Sequence, residues 1–575
     1  MSQNCHETRV TGNKRVGGRW GHRQERNRWC LDGDDSYGQL ACIAAENDVD
    51  IILSARSAGQ HQDERRLVKP VAMTLSPRAS PLSVSDRLSD VVAWDAVPPT
   101  ARVAVIDIGS NSVRLVVYGK NGAYPSPLFD ERSNCQLGAG LDSTGELAAD
   151  RIADALTTIA RFAAVIKAMQ VDTVYPVATA AVRRAGNGDA FKIPAEAILG
   201  QPIEVLSQQD EATYVSRGLT LNIPEASGLV ADLGGGSIEI VELKKGEVLN
   251  AISLNYGHLS SADETEIMAA FAAVDWITRA KAKQLFGVGG SFRALGSAFF
   301  ARENYPLPVL HGTKISTSKV LALCDGFTAA HPDLDGVPLA RRQTMPMAGM
   351  IIRTLVRLSG VKRLVVSGTS IRDGVIAINE LNPAQRADFL VAISQEIAVA
   401  SGRFAGASDA LKAFMRPLAL LGSADSQRLV DVACNLADMC WHEHSDLRGD
   451  IAARRVLGLP VNCMTHKERV WLSVALYHRY VGLKQNKPRP RKLDSLLGRR
   501  HVVEATTIGL ALRFALIFSA GTATHLNHIK LECLPGKIRL HISAAARDLF
   551  DAACQRRLDA LATSAQASAE VVFDR

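Results

Sequence analysis

Val103–Val117 reads VAVIDIGSNSVRLVV, and Leu229–Val241 reads LVADLGGGSIEIV. Each stretch is a short apolar run that contains an aspartate near its end, followed by a Gly/Ser turn and a second apolar run. This pattern predicts two antiparallel strands joined by a tight turn. Glycines let backbone N–H groups come close to a ligand, and consecutive N–H groups form an anion-binding cradle. Two facing cradles, each beside an aspartate, would suit a phosphate chain with its metal ion.

The sequence repeats beyond these two stretches. In each half a turn signal and a third strand follow the hairpin, and then come a helix, a buried strand, a basic helix start and a further strand. We predict helices over 147–169 and 262–283, and strands over 173–178, 202–206, 284–288 and 363–366. This duplicated order is typical of actin-like (ribonuclease-H-like) phosphotransferases, so we predict an α/β fold with two such domains around a cleft.

The composition divides the chain further. Residues 1–100 have a basic start and a Ser/Pro-rich end, which predicts a disordered or poorly packed leader, with Met73 as a plausible true start. A basic tail that attracts anionic polymers is the alternative. Beyond the two α/β domains, Ala/Leu-rich segments with helical spacing precede short strand-like runs. The predicted domains cover 101–220, 221–385, 386–520 (helical) and 521–575 (small α+β region).

The overall composition excludes some classes of protein. The 575 residues are 47% hydrophobic and 22% charged, which is ordinary for a globular protein. We find no uninterrupted run near the roughly 18 apolar residues that a membrane helix needs. The ten cysteines include no C-x-x-C pair, which favours a reducing cytoplasm over a disulfide framework or a structural zinc site. A net charge of +7 leaves anionic partners possible.

Residues 101–385 contain a series of short motifs: Asp107–Ser112 (DIGSNS), Leu137–Leu141 (LGAGL), Ala180–Arg183 (AAVR), Asp210–Ala212 (DEA), Asp232–Glu239 (DLGGGSIE), Gly289–Ser291 (GGS) and Ile371–Gly374 (IRDG). In these motifs and their order, the segment resembles the exopolyphosphatase / guanosine-pentaphosphate phosphohydrolase family. The resemblance implies hydrolysis of terminal phosphate from inorganic polyphosphate. It also implies cleavage of guanosine pentaphosphate, a nucleotide of the stringent response, at the same site. Homodimerisation is expected from the resemblance, whereas a membrane or a specific nucleic acid is not an expected partner.

The resemblance assigns the role of general base to Glu211. A positioned carboxylate can orient a water molecule in line with a terminal phosphate and accept its proton. Charge repulsion from the neighbouring Asp210 could raise one pKa of this pair. Read by itself, the Asp-Glu-Ala step would more simply begin an exposed helix.

The resemblance implies that Asp232 and Glu239 hold Mg²⁺, with Asp107 near the ion through a water molecule. Mg²⁺ is a hard cation that binds few protein carboxylates and completes its shell with water and substrate phosphates. Phosphate oxygens would meet the loops and guanidinium groups of the cleft. The predicted phosphate-binding residues are Gly109, Asn111, Ser112, Arg183, Gly234, Gly235, Gly236, Ser237, Gly289, Gly290, Ser291 and Arg372. We expect Arg184 to be a solvated neighbour.

The sequence departs from the family at several positions. Gln136 replaces an arginine, which removes one cation and bears on substrate affinity.

Trp441–Asp446 reads WHEHSD and suggests a metal site at His442 and His444, with His466 and His478 as further candidates. The helical domain is similar to the His-Asp (HD-like) phosphohydrolases, but the dyad here is His-Glu, so we favour structural or surface histidines.

Two other functions remain open on the sequence. One is an ATP-dependent kinase or chaperone of the same superfamily, which would release phosphate in a nucleotide-dependent way. The other is a non-catalytic polyanion binder that uses the leader and the basic stretch Lys484–Arg500. Such a binder predicts a steep salt dependence without turnover. The order of Glu211, Asp232 and Glu239 favours the hydrolase over both.

Overall fold

The computed structural model describes residues 101–574, apart from 121–124, 280–281, 328–332, 383–387, 405, 423 and 484–492. The predicted leader and most of the basic stretch Lys484–Arg500 lie outside these residues. All of the described elements belong to one compact unit.

The first half forms a five-stranded sheet in the order β3-β2-β1-β4-β5. Its strands are β1 (Ala101–Ile108), β2 (Val113–Lys120), β3 (Pro125–Ser133), β4 (Thr173–Ala178) and β5 (Glu204–Val205). Its helices are α1 (Leu141–Thr144), α2 (Ala149–Ala168), α3 (Ala180–Arg184) and α4 (Asp189–Leu199). Strand β1 pairs antiparallel with β2 and parallel with β4. Both faces of β1 are buried, because alternate residues point into two different cores.

The second half repeats this arrangement and adds one strand, in the order β10-β11-β9-β6-β7-β8. Helix α5 (Gln208–Asn222) precedes it. Its strands are β6 (Gly228–Leu233), β7 (Ile238–Lys244), β8 (Glu247–Leu254), β9 (Gln284–Val288), β10 (Lys314–Ser316) and β11 (Arg363–Val366). Its helices are α6 (Glu264–Ala272), α7 (Asp275–Arg279), α8 (Gly290–Glu303), α9 (Thr317–Gly326), α10 (Met345–Ser359) and α11 (Ile371–Asn379), with a 3₁₀ turn at Leu339–Arg341.

The predicted strands over 173–178, 284–288 and 363–366 are confirmed. The single helix predicted over 262–283 is wrong, because the chain forms α6 and α7 with a break between them. Helix α6 ends at its cap Ala273, and Asp275 begins α7. Strand β10 was not predicted, since its three residues are too short to show a period in the sequence.

A helical region and a small sheet follow the two α/β halves. The helices are α12 (Phe389–Ser401), α13 (Ala407–Ala419), α14 (Ala424–Leu436), α15 (Arg448–Leu457), α16 (His466–Val481), α17 (Asp494–Leu497) and α18 (Arg499–Phe518). The end of the chain forms α19 (Ala523–Leu526), β12 (Ile529–Leu534), β13 (Lys537–Ile542), α20 (Ala552–Ser564) and β14 (Ser568–Phe573). The predicted fold class, two actin-like halves followed by a helical part and an α+β tail, is confirmed. The domain boundaries remain predictions.

Helix α18 is long and apolar enough to cross a membrane by length and composition. Most of it is buried inside the helical region, where it packs against α16 and α20. This burial is typical of the core helix of a domain.

Helices α5 and α11 cross closely beneath the cleft. A Cβ atom at Gly374 would overlap the carbonyl group of Tyr214, and one at Gly218 would lie 2.7 Å from the carbonyl oxygen of Ser370. Both positions therefore require glycine. The crossing places the first turns of the two helices, which carry Glu211 and Arg372, beside the strand ends of both halves.

Candidate active site

The two Gly/Ser turns have the same backbone hydrogen bond. Gly109 N donates to Ser112 O at 3.1 Å, and Gly234 N donates to Ser237 O at 3.0 Å. The duplication seen in the sequence therefore extends to individual atoms of the two turns.

Both turns line one cavity of about 160 Å³ between the two halves. The cavity brings together most of the residues predicted for the site: Asp107, Gly109, Asn111, Ser112, Glu211, Asp232, Gly234, Gly235, Ser237, Glu239, Gly289, Gly290 and Arg372. It also contains residues that were not predicted: Ser110, Arg114, Arg132, Thr179, Ala180, Leu233, His258, Arg293, Arg341, Ser370 and Ile371.

Three predicted phosphate-binding residues do not line the cavity. The carbonyl oxygen of Gly236 accepts a long hydrogen bond from Arg184 Nη1 at 3.5 Å. Ser291 is fully buried, with its Oγ 3.5 Å from His258 Nδ1. Arg183 donates a hydrogen bond to Glu211 and does not itself line the cavity. Arg184, which we expected to be a solvated neighbour, is partly exposed, does not line the cavity and pairs with Asp142 at 2.6 Å.

Asp232 and Glu239 are directly opposite each other on the antiparallel strands β6 and β7. Residues in such a pair project from the same face of the sheet, which directs both carboxylates into the cavity. The Glu239 carboxylate is buried and accepts a hydrogen bond from Ser253 Oγ at 2.9 Å. A Cβ atom at Gly289 would lie 2.6 Å from Asp232 Oδ1, so glycine at this position leaves room for the carboxylate.

The carboxyl groups of the cavity raise one another's pKa values. Burial, followed by the charge of Glu211, raises the pKa of Asp232 to about 7, and Arg293 opposes this shift. Burial and the charges of Glu211 and Asp232 raise the pKa of Glu239 well above its ordinary value. Carboxylates that are costly to ionise in the protein alone gain most from a bound cation.

The carboxylates fit a magnesium ion that also binds substrate. Within the described residues, no three His, Cys, Asp or Glu side chains are arranged to hold a metal ion by themselves. Mg²⁺ commonly uses one or two protein carboxylates and takes its remaining oxygen ligands from water and phosphate. Asp232 and Glu239 supply that pair of hard oxygen donors. Asp107 is engaged differently, since its Oδ2 accepts a hydrogen bond from Arg372 Nη1 at 2.5 Å.

Glu211 lies in the first turn of α5, and the residue is 7% exposed. Its Oε2 accepts a hydrogen bond from Arg183 Nη1 at 2.7 Å. Burial raises the pKa of Glu211, the hydrogen bond from Arg183 opposes this shift, and the charge of Asp107 adds to it. The exposed helix start considered from the sequence is therefore wrong for this residue.

The side chain of Asp210 is exposed, unlike that of the adjacent Glu211. Its Oδ2 accepts hydrogen bonds from the backbone N and the Oγ of Ser207, at 3.2 and 2.6 Å. In return, Asp210 N donates to Ser207 Oγ, and these contacts form an exposed capping box at the start of α5. The raised pKa of Glu211 therefore comes from burial rather than from Asp210.

Four arginines of the cavity were not predicted from the sequence: Arg114, Arg132, Arg293 and Arg341. Arg114 forms a salt bridge with Asp130 at 2.5 Å. In contrast, within the described residues, the guanidinium groups of Arg132, Arg293 and Arg341 have no carboxylate oxygen within 4.0 Å. Burial and neighbouring arginines lower the pKa values of Arg293 and Arg341 to about 10, so both remain charged at neutral pH. Arg293 was already visible in the basic helix start after Gly289.

The candidate histidines of the helical region do not converge. His466 Nδ1 bonds Tyr305 Oη at 2.8 Å, and its Nε2 bonds His311 O at 2.9 Å. His478 Nδ1 bonds Gly482 O at 2.8 Å, and His444 Nδ1 accepts a hydrogen bond from Asp446 N at 3.3 Å. These partners favour structural roles for the histidines.

Comparison with known proteins gives relatives with related names. A curated relative from Pseudoalteromonas translucida, "Guanosine-5'-triphosphate,3'-diphosphate pyrophosphatase", is 29% identical over 291 residues. The match spans 48% of this chain and 58% of that relative's length. The solved structure of the Aquifex aeolicus Ppx/GppA family member is 25% identical, with a TM-score of 0.41 over 48% of this chain and 96% of its own. An exopolyphosphatase from Cytophaga hutchinsonii is 22% identical, with a TM-score of 0.45 over 49% and 99%.

Two family models match consecutive parts of the chain. The first, described as "Ppx/GppA phosphatase family", matches residues 115–382. The second, described as "Exopolyphosphatase, C-terminal", matches residues 390–572. Residues 115–382, which form most of the two α/β halves, therefore match the Ppx/GppA phosphatase family, and the helical and C-terminal regions match the C-terminal domain of exopolyphosphatases.

Proposed function

We propose that this protein is a Mg²⁺-dependent exopolyphosphatase, which hydrolyses the terminal phosphate of inorganic polyphosphate. One observation carries the proposal. Within the part of the chain that the structure describes, a single cavity contains two carboxylates without a cationic hydrogen-bond partner, Asp232 and Glu239, together with three arginines that lack a carboxylate partner. The carboxylates need a cation and the guanidinium groups need an anion. A phosphate chain with a metal ion supplies both.

Glu211 is the proposed general base. Its burial raises its pKa, which makes its carboxylate a stronger proton acceptor at neutral pH. The residue lines the cavity at the start of α5, where a water molecule could stand between its carboxylate and a bound phosphate. The base would hold that water and accept its proton as the oxygen attacks phosphorus.

Arg183 supports this role through its contact with the base. Its Nη1 donates both to Glu211 Oε2 and to Leu206 O, each at 2.7 Å. Such a doubly anchored guanidinium keeps one carboxylate oxygen in place, and the other oxygen stays free to accept a proton. We therefore propose that Arg183 orients Glu211, instead of the direct phosphate binding that we predicted from the sequence.

Asp232 and Glu239 would hold Mg²⁺. The bound ion would neutralise phosphate charge and strengthen phosphorus as an electrophile. The two Gly/Ser turns would bind phosphate oxygens through backbone N–H groups. Arg132, Arg293 and Arg341 would stabilise the negative charge that develops during phosphoryl transfer.

Guanosine pentaphosphate is the second candidate substrate. The observation that favours it is the name of the curated relative, a pyrophosphatase acting on guanosine-5'-triphosphate,3'-diphosphate. Its terminal phosphate would use the same carboxylates and arginines. A cytoplasmic location and a homodimer remain predictions from the sequence.

The proposal is tested by measuring orthophosphate release from long-chain polyphosphate, guanosine pentaphosphate and ATP in the presence of Mg²⁺. We expect release from polyphosphate, and a loss of turnover of about 10²- to 10⁴-fold in Glu211→Gln. The matched control is Asp210→Asn, an isosteric change at the adjacent exposed residue, which should keep turnover within about 3-fold.

The other outcomes identify the alternatives. Release from guanosine pentaphosphate but not from polyphosphate would assign the second substrate. Release that requires ATP would favour a kinase or chaperone. Tight polyphosphate binding without release from any substrate would make the protein a binding module.

A further inference from the structure

The segment Gly257–Leu259 runs directly beside the second Gly/Ser turn. His258 N donates to Gly234 O at 3.1 Å, and Leu259 N donates to Gly235 O at 2.9 Å. A Cβ atom at Gly257 would overlap the carbonyl group of Gly235, so the two backbones are in close contact. The position of the His258 side chain in the cavity is therefore set by the same turn that would bind phosphate.

The imidazole of His258 lies between an arginine and a serine. Its Nε2 is 3.4 Å from Arg341 Nη1, and its Nδ1 is 3.5 Å from Ser291 Oγ. Both distances are at the long end of the hydrogen-bond range. A guanidinium group can only donate, so Nε2 must carry the lone pair, and the proton of the neutral ring is on Nδ1. Nδ1 then donates to Ser291 Oγ.

The surroundings of His258 favour this neutral form. The residue is 5% exposed, and burial followed by the charge of Arg341 lowers its pKa to about 4. A protonated ring would place a donor on Nε2, against the guanidinium. The contact with Arg341 therefore requires the ring to be neutral.

Arg341 reaches the cavity from the 3₁₀ turn Leu339–Arg341. Its guanidinium group lies so close to Gly290 that a Cβ atom there would overlap it. Gly290 belongs to one of the predicted phosphate-binding loops. The guanidinium therefore stands at the first turn of α8, where the helix N-terminus also favours an anion.

We propose that His258 is a positioning residue, whose Nδ1–H tautomer holds the Arg341 guanidinium against Gly290 so that it meets a substrate phosphate. This inference rests on the proposed function and deepens it, because it identifies a chain of contacts that sets phosphate affinity. Ser291, which we predicted as a phosphate ligand, is fully buried, and its Oγ accepts the hydrogen bond from Nδ1.

Two substitutions of His258 test whether its Nε2 serves as the acceptor for Arg341. In His258→Gln the amide oxygen can replace Nε2 as the acceptor for Arg341. In His258→Asn the shorter side chain can reach only the position of Nδ1, so the contact with Arg341 is lost. Glutamine also fills more of the space of histidine than asparagine does, so the double variant with Arg341→Ala and the ¹⁵N spectrum distinguish this role from packing.

The experiment has two parts. Calorimetry measures the binding of inorganic tripolyphosphate under conditions in which it is not hydrolysed. A kinetic assay measures KM and kcat with polyphosphate and Mg²⁺. We expect Arg341→Ala to weaken tripolyphosphate binding by about 10-fold or more, since it removes a charge-assisted hydrogen bond. His258→Asn should weaken it by about 5-fold, and His258→Gln by less than about 2-fold. The effects should appear mainly in KM. Arg342→Ala is the matched control, because the Arg342 guanidinium Nε donates to Val337 O and the residue does not line the cavity.

A double variant and a spectrum complete the test. If His258 acts through Arg341, adding His258→Asn to Arg341→Ala should cause no further loss of binding. The ¹⁵N spectrum of histidine-labelled protein should show a neutral ring with the proton on Nδ1, in the resonance that disappears in His258→Asn.

Failure of this inference and failure of the proposed function would look different. Normal phosphate release by the wild type, with equal binding by His258→Asn, His258→Gln and wild type, would overturn the positioning role alone. The expected binding pattern without release from any substrate would overturn the hydrolase and keep the positioning role.

Discussion

At equivalent positions of the same backbone arrangement, the strands of the two halves carry side chains of different charge. In the first half, three side chains lie in register across β1, β2 and β3: Asp107, Arg114 and Arg132. In the second half, the equivalent positions on β6, β7 and β8 are Asp232, Glu239 and Ser253. We call these sets the first row and the second row. Both rows begin with an aspartate just before a Gly/Ser turn, but only the first continues with cations.

The difference shows what duplication preserves and what it leaves free. The turn geometry is the same in both halves, since it depends on glycine and on one backbone hydrogen bond. The side chains of the rows take no part in the backbone hydrogen bond of the turn, so they can diverge. Under the proposed function, the first row would bind an anion and the second row a cation of the same ligand.

The largest expected effect separates the two aspartates that begin the rows. Asp232→Asn should raise the Mg²⁺ concentration needed for half-maximal activity by about 10- to 100-fold and lower turnover strongly. Asp107→Asn, the same change at the equivalent position, should act mainly on substrate affinity through Arg372. Magnesium titrations of phosphate release measure both. Equal shifts in the two variants would show that the rows do not differ in metal binding.

The next effect concerns the arginines without a carboxylate partner. Arg132→Ala and Arg293→Ala should each raise KM for polyphosphate by about 10-fold or more, and the dependence of KM on salt should become shallower. Arg161→Ala is the control, because Arg161 is exposed and pairs with Glu131 at 2.7 Å, away from the cavity. An unchanged KM in both cavity variants would contradict substrate binding by the arginines that lack a carboxylate partner.

The second row should also make the stability of the metal-free protein depend on pH. The pKa of Asp232 is raised from 3.8 to about 7. A carboxyl group with a raised pKa in the folded state stabilises the fold below its unfolded value, and this stabilisation is lost as pH rises through the folded value. The Tm of wild type should therefore fall by several degrees relative to that of Asp232→Asn between about pH 4 and pH 8.

Added Mg²⁺ provides the control for this measurement. The ion favours the charged carboxylates, so it should reverse the loss of stability above about pH 7 in the wild type and have less effect in Asp232→Asn. Parallel Tm curves for the two proteins without metal would contradict a raised pKa at this site.

The smallest effect is expected at the end of the second row. Ser253→Ala removes the hydrogen bond to Glu239 Oε1 and should cost about 1 kcal/mol at most, or less than about 5-fold in Mg²⁺ affinity. Magnesium titration with isothermal calorimetry, in the presence of phosphate, can resolve such a change. A larger loss would mean that Ser253 does more than orient the carboxylate.

Sequence reasoning found the backbone features of the site more reliably than its charge pairs. The turns at Gly109 and Gly234 were predicted because glycine and serine act within four residues. The two arginines of the first row, Arg114 and Arg132, were missed because polar residues are common at the outward positions of strands with alternating polarity. The partner of Glu211 was missed for a similar reason, since Arg183 is 28 residues away in the chain.

The sequence by itself determined the elements and their duplication. Apolar periodicity, turn residues and the order of carboxylates are local properties, and they were sufficient to predict strands such as β4 and β9 and the fold class. Only the tertiary structure decided which charges meet. Arg372 reaches Asp107 across 265 residues, and the crossing of α5 and α11 buries Glu211 beside both halves. Burial raises the pKa of Glu211 and the hydrogen bond from Arg183 opposes this shift, and both effects depend on segments that are far apart in the chain.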